Sequence, residues 1–294
     1  MSKNFNFRSE KVSSSSTAST SGSSSGNKKD VTKTSSMFKS TKPTENNSTT
    51  TTITYKDMPI TFKKEDVEVI SNSGIVLIKT FRNHPNLQQD LINYCLSALR
   101  GNEEGITGTE FPTDETTFQK CFLDIPFEQF NSKFADIICG AAMKVAKEHC
   151  KILQDYQDDF RIAQLCYYTN KGKLGWHRDR ISGLTPEEQH LIVSPVVSMS
   201  LGNDSIFSYK LNTINETTGK LEYGTEAIDL QLKSGDILIF GATQRMFYHC
   251  VKRIIPSTNH HKLDMDGLSG RINITLREGT YYPENIGAPT ANLF

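Results

Sequence analysis

The spacing of apolar positions changes partway along this chain. Residues 74–81, GIVLIKTF, are a short apolar run with strand character. Pro85 then opens a segment in which Leu87, Leu91, Tyr94, Cys95, Ala98 and Leu99 recur with the 3.6-residue spacing of a helix, and Gly101 closes it. From Pro126 to about His149 a second helix is predicted, with Phe127, Phe130, Phe134, Ile137, Ile138, Ala141 and Val145 on one side. Beyond that the period shortens to two. Strands are predicted at 161–168, 192–201, 205–211, 219–223, 226–233, 236–241, 246–252 and 271–277, with turns such as Gly202-Asn203-Asp204 and Ser234-Gly235-Asp236 between them. Two helices followed by about eight short strands predict an α+β domain. Its core would be a jelly-roll (a double-stranded β-helix) with covering helices and room for a ligand between the two sheets.

Residues 1–52 follow no such pattern. Ser and Thr dominate them, as in SSSSTASTSGSSSG, and there is too little apolar surface to offset the entropy of ordering. A disordered tail at 1–52 and a folded domain at 53–294 are therefore predicted. The tail is read as a low-complexity extension, with a loose tether for nucleic acid or a phosphorylation target as the functional alternatives. The Gly-, Thr- and acid-rich stretch 101–124 is read as a flexible lid. The chain balances 33 basic against 33 acidic residues. The tail holds eight of the former and three of the latter, so a mildly basic tail precedes a mildly acidic body. That balance singles out no class of partner. No apolar run reaches the length of a membrane span and no secretory h-region follows the N-terminus, so no membrane partner is expected. The six cysteines, without C-x-x-C spacing and mostly in apolar contexts, fit reduced thiols in an intracellular protein rather than disulfides or a zinc site.

The chemistry concentrates in three segments. In LGWHRDR, Leu174 to Arg180, His177 and Asp179 sit two residues apart, which puts both side chains on one face of a strand or its end. His249 follows in RMFYHCV. Two imidazoles and one carboxylate can occupy one triangular face of an octahedral metal and leave the other open, the donor set of non-heme Fe(II) oxygenases. Singly, His249 fits a hydrogen-bonded core or surface histidine, and an H-x-D pair occurs by accident in many chains. The third segment is RINITLR, where Arg271, Asn273, Thr275 and Arg277 alternate with Ile272, Ile274 and Leu276. If its polar face meets solvent, this is an ordinary amphipathic edge strand. If that face points inward, its guanidinium groups need an anion, and a compact dicarboxylate chelating iron is the natural one. Extended strand puts the two Arg ~20 Å apart, too far to grip one small acid end to end.

Taken in order, LGWHRDR, FYHCV and RINITLR resemble the AlkB family of Fe(II)/2-oxoglutarate-dependent dioxygenases, over about Ile70 to Arg277. R-x-N-x-T-x-R is that family's signature. The resemblance implies iron ligation by His177, Asp179 and His249, and pairing of Arg271 with the distal carboxylate of 2-oxoglutarate. It places Asn273, Arg277 and Tyr168 in the same co-substrate site, together with Cys166, which stands where the family often has Asn. It also implies dioxygen as second co-substrate, alkylated DNA or RNA as substrate, and hydroxylation of an N-methyl group. Formaldehyde, succinate and CO2 would be the products, from lesions such as 1-methyladenine or 3-methylcytosine.

The chain also departs from the family. Ile181 replaces an acid near the substrate base, and no lid Trp is present: the sole Trp is Trp176, next to His177. Phe111, Phe118 or Phe122 would have to stack on the base instead. Lys171, Lys173, Arg178 and Arg180 either contact phosphates or form a solvated loop. His260 and His261, in NHHKLDMDG, are read as loop residues, as is 212–220, and Gly235-Asp236 as a turn. The alternatives kept open are the same chemistry on tRNA, other modified RNA or a protein side chain, and a non-catalytic binding module. A nuclear or cytoplasmic location and no obligate protein partner are expected.

Overall fold

The computed structural model describes residues 51–110, 120–156, 158–181, 183–189 and 191–279. Fifteen strands are present among them: β1 Thr52–Tyr55, β2 Met58–Thr61, β3 Val67–Ser71, β4 Ile75–Ile78, β5 Lys120–Pro126, β6 Ile162–Tyr168, β7 Leu174–His177, β8 Val196–Gly202, β9 Ser205–Lys210, β10 Thr213–Ile214, β11 Leu221–Glu222, β12 Ile228–Leu232, β13 Ile237–Phe240, β14 Tyr248–Ile254 and β15 Arg271–Arg277. Helix α1 is Pro85–Leu99, with its Pro in the first turn. A second helical run begins at Asn131, whose Oδ1 accepts from the N–H groups of Lys133 and Phe134. It comprises α2 Ser132–Ala135, a π-helical segment Asp136–Ala141 and α3 Ala142–His149. A single turn, α4 Pro186–Gln189, follows later.

The strands form a seven-stranded sheet, β3-β4-β13-β8-β15-β6-β5, and a four-stranded sheet, β12-β9-β14-β7, with the two-stranded pairs β1-β2 and β10-β11 outside them. All the pairings are antiparallel. The larger sheet buries both faces. Ile272, Ile274 and Leu276 of β15, with Val197, Met199 and Leu201 of β8 and Ala163 and Leu165 of β6, join a core with Leu87 and Leu91 of α1 and with Ile138 and Val145 of the second helical run. The opposite face meets the smaller sheet, where Cys166, Tyr168, Val196, Leu238 and Phe240 pack with Leu174, Phe207, Tyr209, Leu232 and Val251. This is the jelly-roll with covering helices that the change of period predicts.

Several boundaries move. β15 is not an edge strand: it lies between β8 and β6, and its polar positions face the space between the sheets. Within 101–124, residues 111–119 lie outside the described residues, and Phe111 and Phe118 with them. Residues 120–124 belong to β5, paired along its length with β6, so that part of the segment is sheet rather than lid. Of the tail at 1–52, only Thr51 and Thr52 are described, and Thr52 begins β1. The second helix starts about five residues later than predicted, because Pro126 closes β5. The 212–220 loop contains β10, which pairs with β11 just beyond it to make a short hairpin. All six cysteines are buried and unpaired, and no helix among the described residues is long and apolar enough to cross a membrane.

The Gly235-Asp236 turn does more than reverse the chain. Gly235 has φ +86, and a Cβ there would meet Arg82 N and Phe81 backbone at 2.6 Å. That close approach lets Asp236, fully buried, take Arg82 Nε at 2.6 Å and Nη2 at 2.8 Å on its two oxygens, and the Lys233 N–H at 2.8 Å. Asp236→Ala is expected to lower stability by about 2–3 kcal/mol. This is below the cost for a fully buried pair because Arg82 keeps partial access to water. In a thermal melt that is a fall of roughly 5–10 °C.

Candidate active site

β7 and β14 are neighbours in the smaller sheet, and His177 is the direct cross-strand partner of His249. A register shift between His249 and Val251 keeps both His177 and Leu174 on the inner side of a strand only four residues long. Asp179 lies just past β7. Its Oδ1 stands 3.6 Å from His177 Nε2 and 3.5 Å from His249 Nε2, and the three ligand atoms all fall within 4.8 Å of one another. Octahedral neighbours on one cation stand roughly 3 Å apart at ordinary metal–ligand bond lengths, so a small inward movement fits all three to one ion. The imidazoles are already oriented. His177 Nδ1 sits 2.8 Å from Gly175 O and His249 Nδ1 3.3 Å from Phe247 O, which favours protons on Nδ1 and leaves each Nε2 lone pair for a metal.

The electrostatics favour the ligating forms. Burial, followed by the charge of His249, pushes His177 down to about 4, so its imidazole is neutral near pH 7. Burial alone would raise the Asp179 carboxyl, yet the two histidines and Arg277 hold it well below the usual carboxylate range. Phe207, Phe240 and Phe247 pack around His249 with ring centroids 5.2–5.6 Å away, a wall that restricts water on that side.

The cleft that contains this trio is also lined by Gln164, Cys166, Tyr168, Ser198, Arg271, Asn273 and Thr275. Register explains the gathering: Arg271 pairs with Tyr168, and Asn273 with Cys166 on one side and Ser200 on the other. Arg271 is 1% exposed. Its Nη2 donates to Ser200 Oγ at 2.8 Å and its guanidinium lies 5.6 Å from the Tyr168 ring, but Nε and Nη1 have no partner among the described residues. A buried guanidinium with two orphaned nitrogens is a cradle for a carboxylate. The implied co-substrate therefore fits here. Asn273 is already satisfied: its Nδ2 donates to Ser198 Oγ and Met199 O, and its Oδ1 accepts from Thr275. It fixes the floor of the cleft. Arg277 does not line it, and its Nη1 reaches Arg180 O at 3.3 Å beside the Asp179 turn.

The residues considered for the base divide. Phe122 on β5 packs edge-on against Tyr168, at 6.1 Å between centroids. Ile181 is buried, its backbone clasped by the Gln189 side chain, and does not line the cleft. Lys171, Lys173 and Arg180 are exposed, whereas Arg178 is half-buried. His260 and His261 lie in a loop, as read from the sequence, with His261 Nε2 2.6 Å from Arg82 O.

One residue escaped sequence reasoning. Arg245 is fully buried and its Nη1 donates to the main-chain carbonyl of Asp179 at 2.7 Å, while Nε and Nη2 have no partner among the described residues. Burial pushes its guanidinium down to about 10. The visible signal was an Arg four residues before His249 in an otherwise apolar run. Arg245→Met is expected to split two properties. The melting temperature should hold or rise, because a poorly paired buried cation is removed. Mn(II) affinity should fall about tenfold, because the Asp179 turn loses its tie.

Residues 74–277 match the family described as the 2OG-Fe(II) oxygenase superfamily. A segment of 117 residues is 37% identical to the DNA N(6)-methyladenine demethylase ALKBH1D of Arabidopsis thaliana, covering 38% of this chain and 23% of that protein. Another of 124 residues is 27% identical to the alpha-ketoglutarate-dependent dioxygenase AlkB of Escherichia coli (strain K12), covering 42% of this chain and 47% of the relative. The chain thus spans less than half the length of either. The solved structure of OsALKBH1 superposes with a TM-score of 0.53 at 25% identity, over 72% of this chain and 99% of that one.

Proposed function

The chain belongs to the 2OG-Fe(II) oxygenase superfamily and, within it, to the AlkB family, and from that premise we propose that it is an oxidative demethylase of N-methylated bases in nucleic acid. Adenine and cytosine methylated on nitrogen, including 1-methyladenine, 3-methylcytosine and the N6-methyladenine named for its plant relative, are the substrates this reading favours. The supporting observation is the placement of Arg271. Its orphaned nitrogens open into the same cleft as the three ligand atoms, so one small dicarboxylate has an anchor at each end.

In this reading His177, Asp179 and His249 would hold ferrous iron, a donor set that supplies three ligands and suits a metal that must also take co-substrates. Iron with 2-oxoglutarate and dioxygen supplies hydroxylation of a C–H bond, coupled to decarboxylation of the ketoacid to succinate and CO2. Arg271 receives the distal carboxylate through its free nitrogens and so sets which end of the ketoacid faces the metal. Tyr168 and Phe207 bound the cleft and exclude water from it. A hydroxylated N-methyl group then collapses, the C–N bond breaking to give formaldehyde and the free base nitrogen. A base can enter the cleft only from a single strand or after extrusion from a duplex.

The deciding experiment incubates the full chain with Fe(II), 2-oxoglutarate and dioxygen, and follows formaldehyde and succinate together on methylated single-stranded DNA, methylated RNA and methyl-lysine peptide. Formaldehyde from a nucleic acid in step with succinate supports the reading. Release from the peptide alone overturns the substrate class, and no succinate under any condition overturns the enzyme.

A further inference from the structure

The outer face of the smaller sheet carries a feature that the cleft does not use. Because His177 points inward, Trp176 points out, and among the described residues it is one of few large apolar side chains left exposed, at 41%. Lys210 of β9 reaches over its ring, with Nζ 4.8 Å from the centroid. Lys210 is also the cross-strand partner of Tyr248, and Arg178 sits in the notch between Tyr248 and Tyr223, its guanidinium 4.7 Å from each ring. Two cations are thus held against three aromatic rings at the end of the sheet next to the ligand trio. Among the described residues neither Arg178 nor Lys210 is paired with a carboxylate. Of the acids nearby, Asp229 is bound by Lys252 at 2.6 Å and by Ser208, and the exposed Glu222 accepts from Asn215 at 2.7 Å. The covering helices pack on the other sheet.

We propose that this face is a binding platform for single-stranded nucleic acid, with phosphates on Arg178 and Lys210 and a base stacked on the Trp176 indole. The chemistry selects this occupant. Fixed cations beside flat π-faces match a polyanion that also carries flat rings, whereas an acidic peptide uses the charge and leaves the indole bare. The tyrosines hold the Arg178 guanidinium in place, so little side-chain freedom is lost when a phosphate arrives. The position also serves the cleft. Trp176 and His177 face opposite sides of one short strand, so nucleotides lying on the platform bring their neighbour to the end of β7, beside the ligand trio. The substrate class rests on the function proposed above, but the platform is tested without turnover.

Trp176 is the only tryptophan in the chain, so tryptophan fluorescence, excited selectively over tyrosine, reports on this face alone. The full chain, loaded with Mn(II) and 2-oxoglutarate, is titrated with an unmethylated thymidine 12-mer. Saturable quenching is expected, with affinity falling as salt rises. The Arg178→Ala/Lys210→Ala variant should bind a dye-labelled 12-mer at least tenfold more weakly. Its log–log salt slope should be shallower by about 1.4, because two phosphates are no longer neutralised by the protein. Trp176→Ala should weaken binding about tenfold, and Trp176→Phe should restore part of it. Thermal melts check each variant's fold, and Lys210→Glu carries the charge test if the double variant melts early. Absence of quenching, unchanged binding by these variants, or equal quenching by dextran sulfate would overturn the platform. Binding as expected with no turnover of any methylated substrate would instead count against the proposed function and leave the platform standing.

Discussion

Asp179→Ala is expected to abolish metal-dependent 2-oxoglutarate consumption while leaving the fold in place. Asp179 supplies the only carboxylate among the three gathered ligand atoms, so its loss leaves two imidazoles and no anionic ligand to hold a dication. A bound metal lowers the barrier by several kcal/mol, and each 1.36 kcal/mol is a factor of ten. Turnover should therefore fall by roughly three decades or more. The fold should survive because Asp179 is held through its backbone: Arg245 donates to its carbonyl oxygen, which the substitution keeps. Succinate formation with and without substrate, Mn(II) binding and a thermal melt together check the result. His177→Ala should behave alike. Undiminished succinate formation by either variant would refute the ligand assignment.

The ligand trio was legible because it needs only local spacing and one long-range partner. His177 and Asp179 announce themselves as a pair, and His249 sits in an alternating strand whose inner positions can be counted. The orientation of β15 was not legible in the same way. R-I-N-I-T-L-R has one polar and one apolar face whichever side it presents, and only the packing of its apolar face under the helices decides that the polar face is the inner one. β5 was hidden differently. Cys121, Leu123 and Ile125 alternate as a strand should, but they follow a Gly- and Thr-rich stretch whose composition suggested a loop. Arg245 could not be read at all as a partner of Asp179, which stands 66 positions away and offers a main-chain oxygen rather than a side chain. Trp176 was noticed for its position, but its exposed face depends on the inward turn of its neighbour and on a lysine two strands across the sheet.

Arg271→Met should separate co-substrate binding from stability. With the co-substrate absent, wild-type Arg271 makes one side-chain hydrogen bond among the described residues, to Ser200, and two of its nitrogens have no partner there, so Met of similar length costs the empty protein little or nothing. Once the ketoacid is bound the balance reverses, because in the variant its distal carboxylate would be buried without a counter-charge. Truncating one member of a buried charge pair costs about 2–5 kcal/mol, a rise of about 30-fold to several thousand-fold in the 2-oxoglutarate KM. The turnover number at saturation should fall much less, since the interaction is made in the ground state and in the transition state alike. Arg271→Lys should recover only part of the affinity, as a point charge replaces a two-pronged donor. A thermal melt supplies the second readout. In the presence of Mn(II), millimolar 2-oxoglutarate should raise the wild-type melting temperature through preferential binding to the folded state, and should leave that of Arg271→Met nearly unmoved. If both proteins gain equally from the ketoacid, its carboxylate is held elsewhere in the cleft, and the orphaned nitrogens of Arg271 need another explanation.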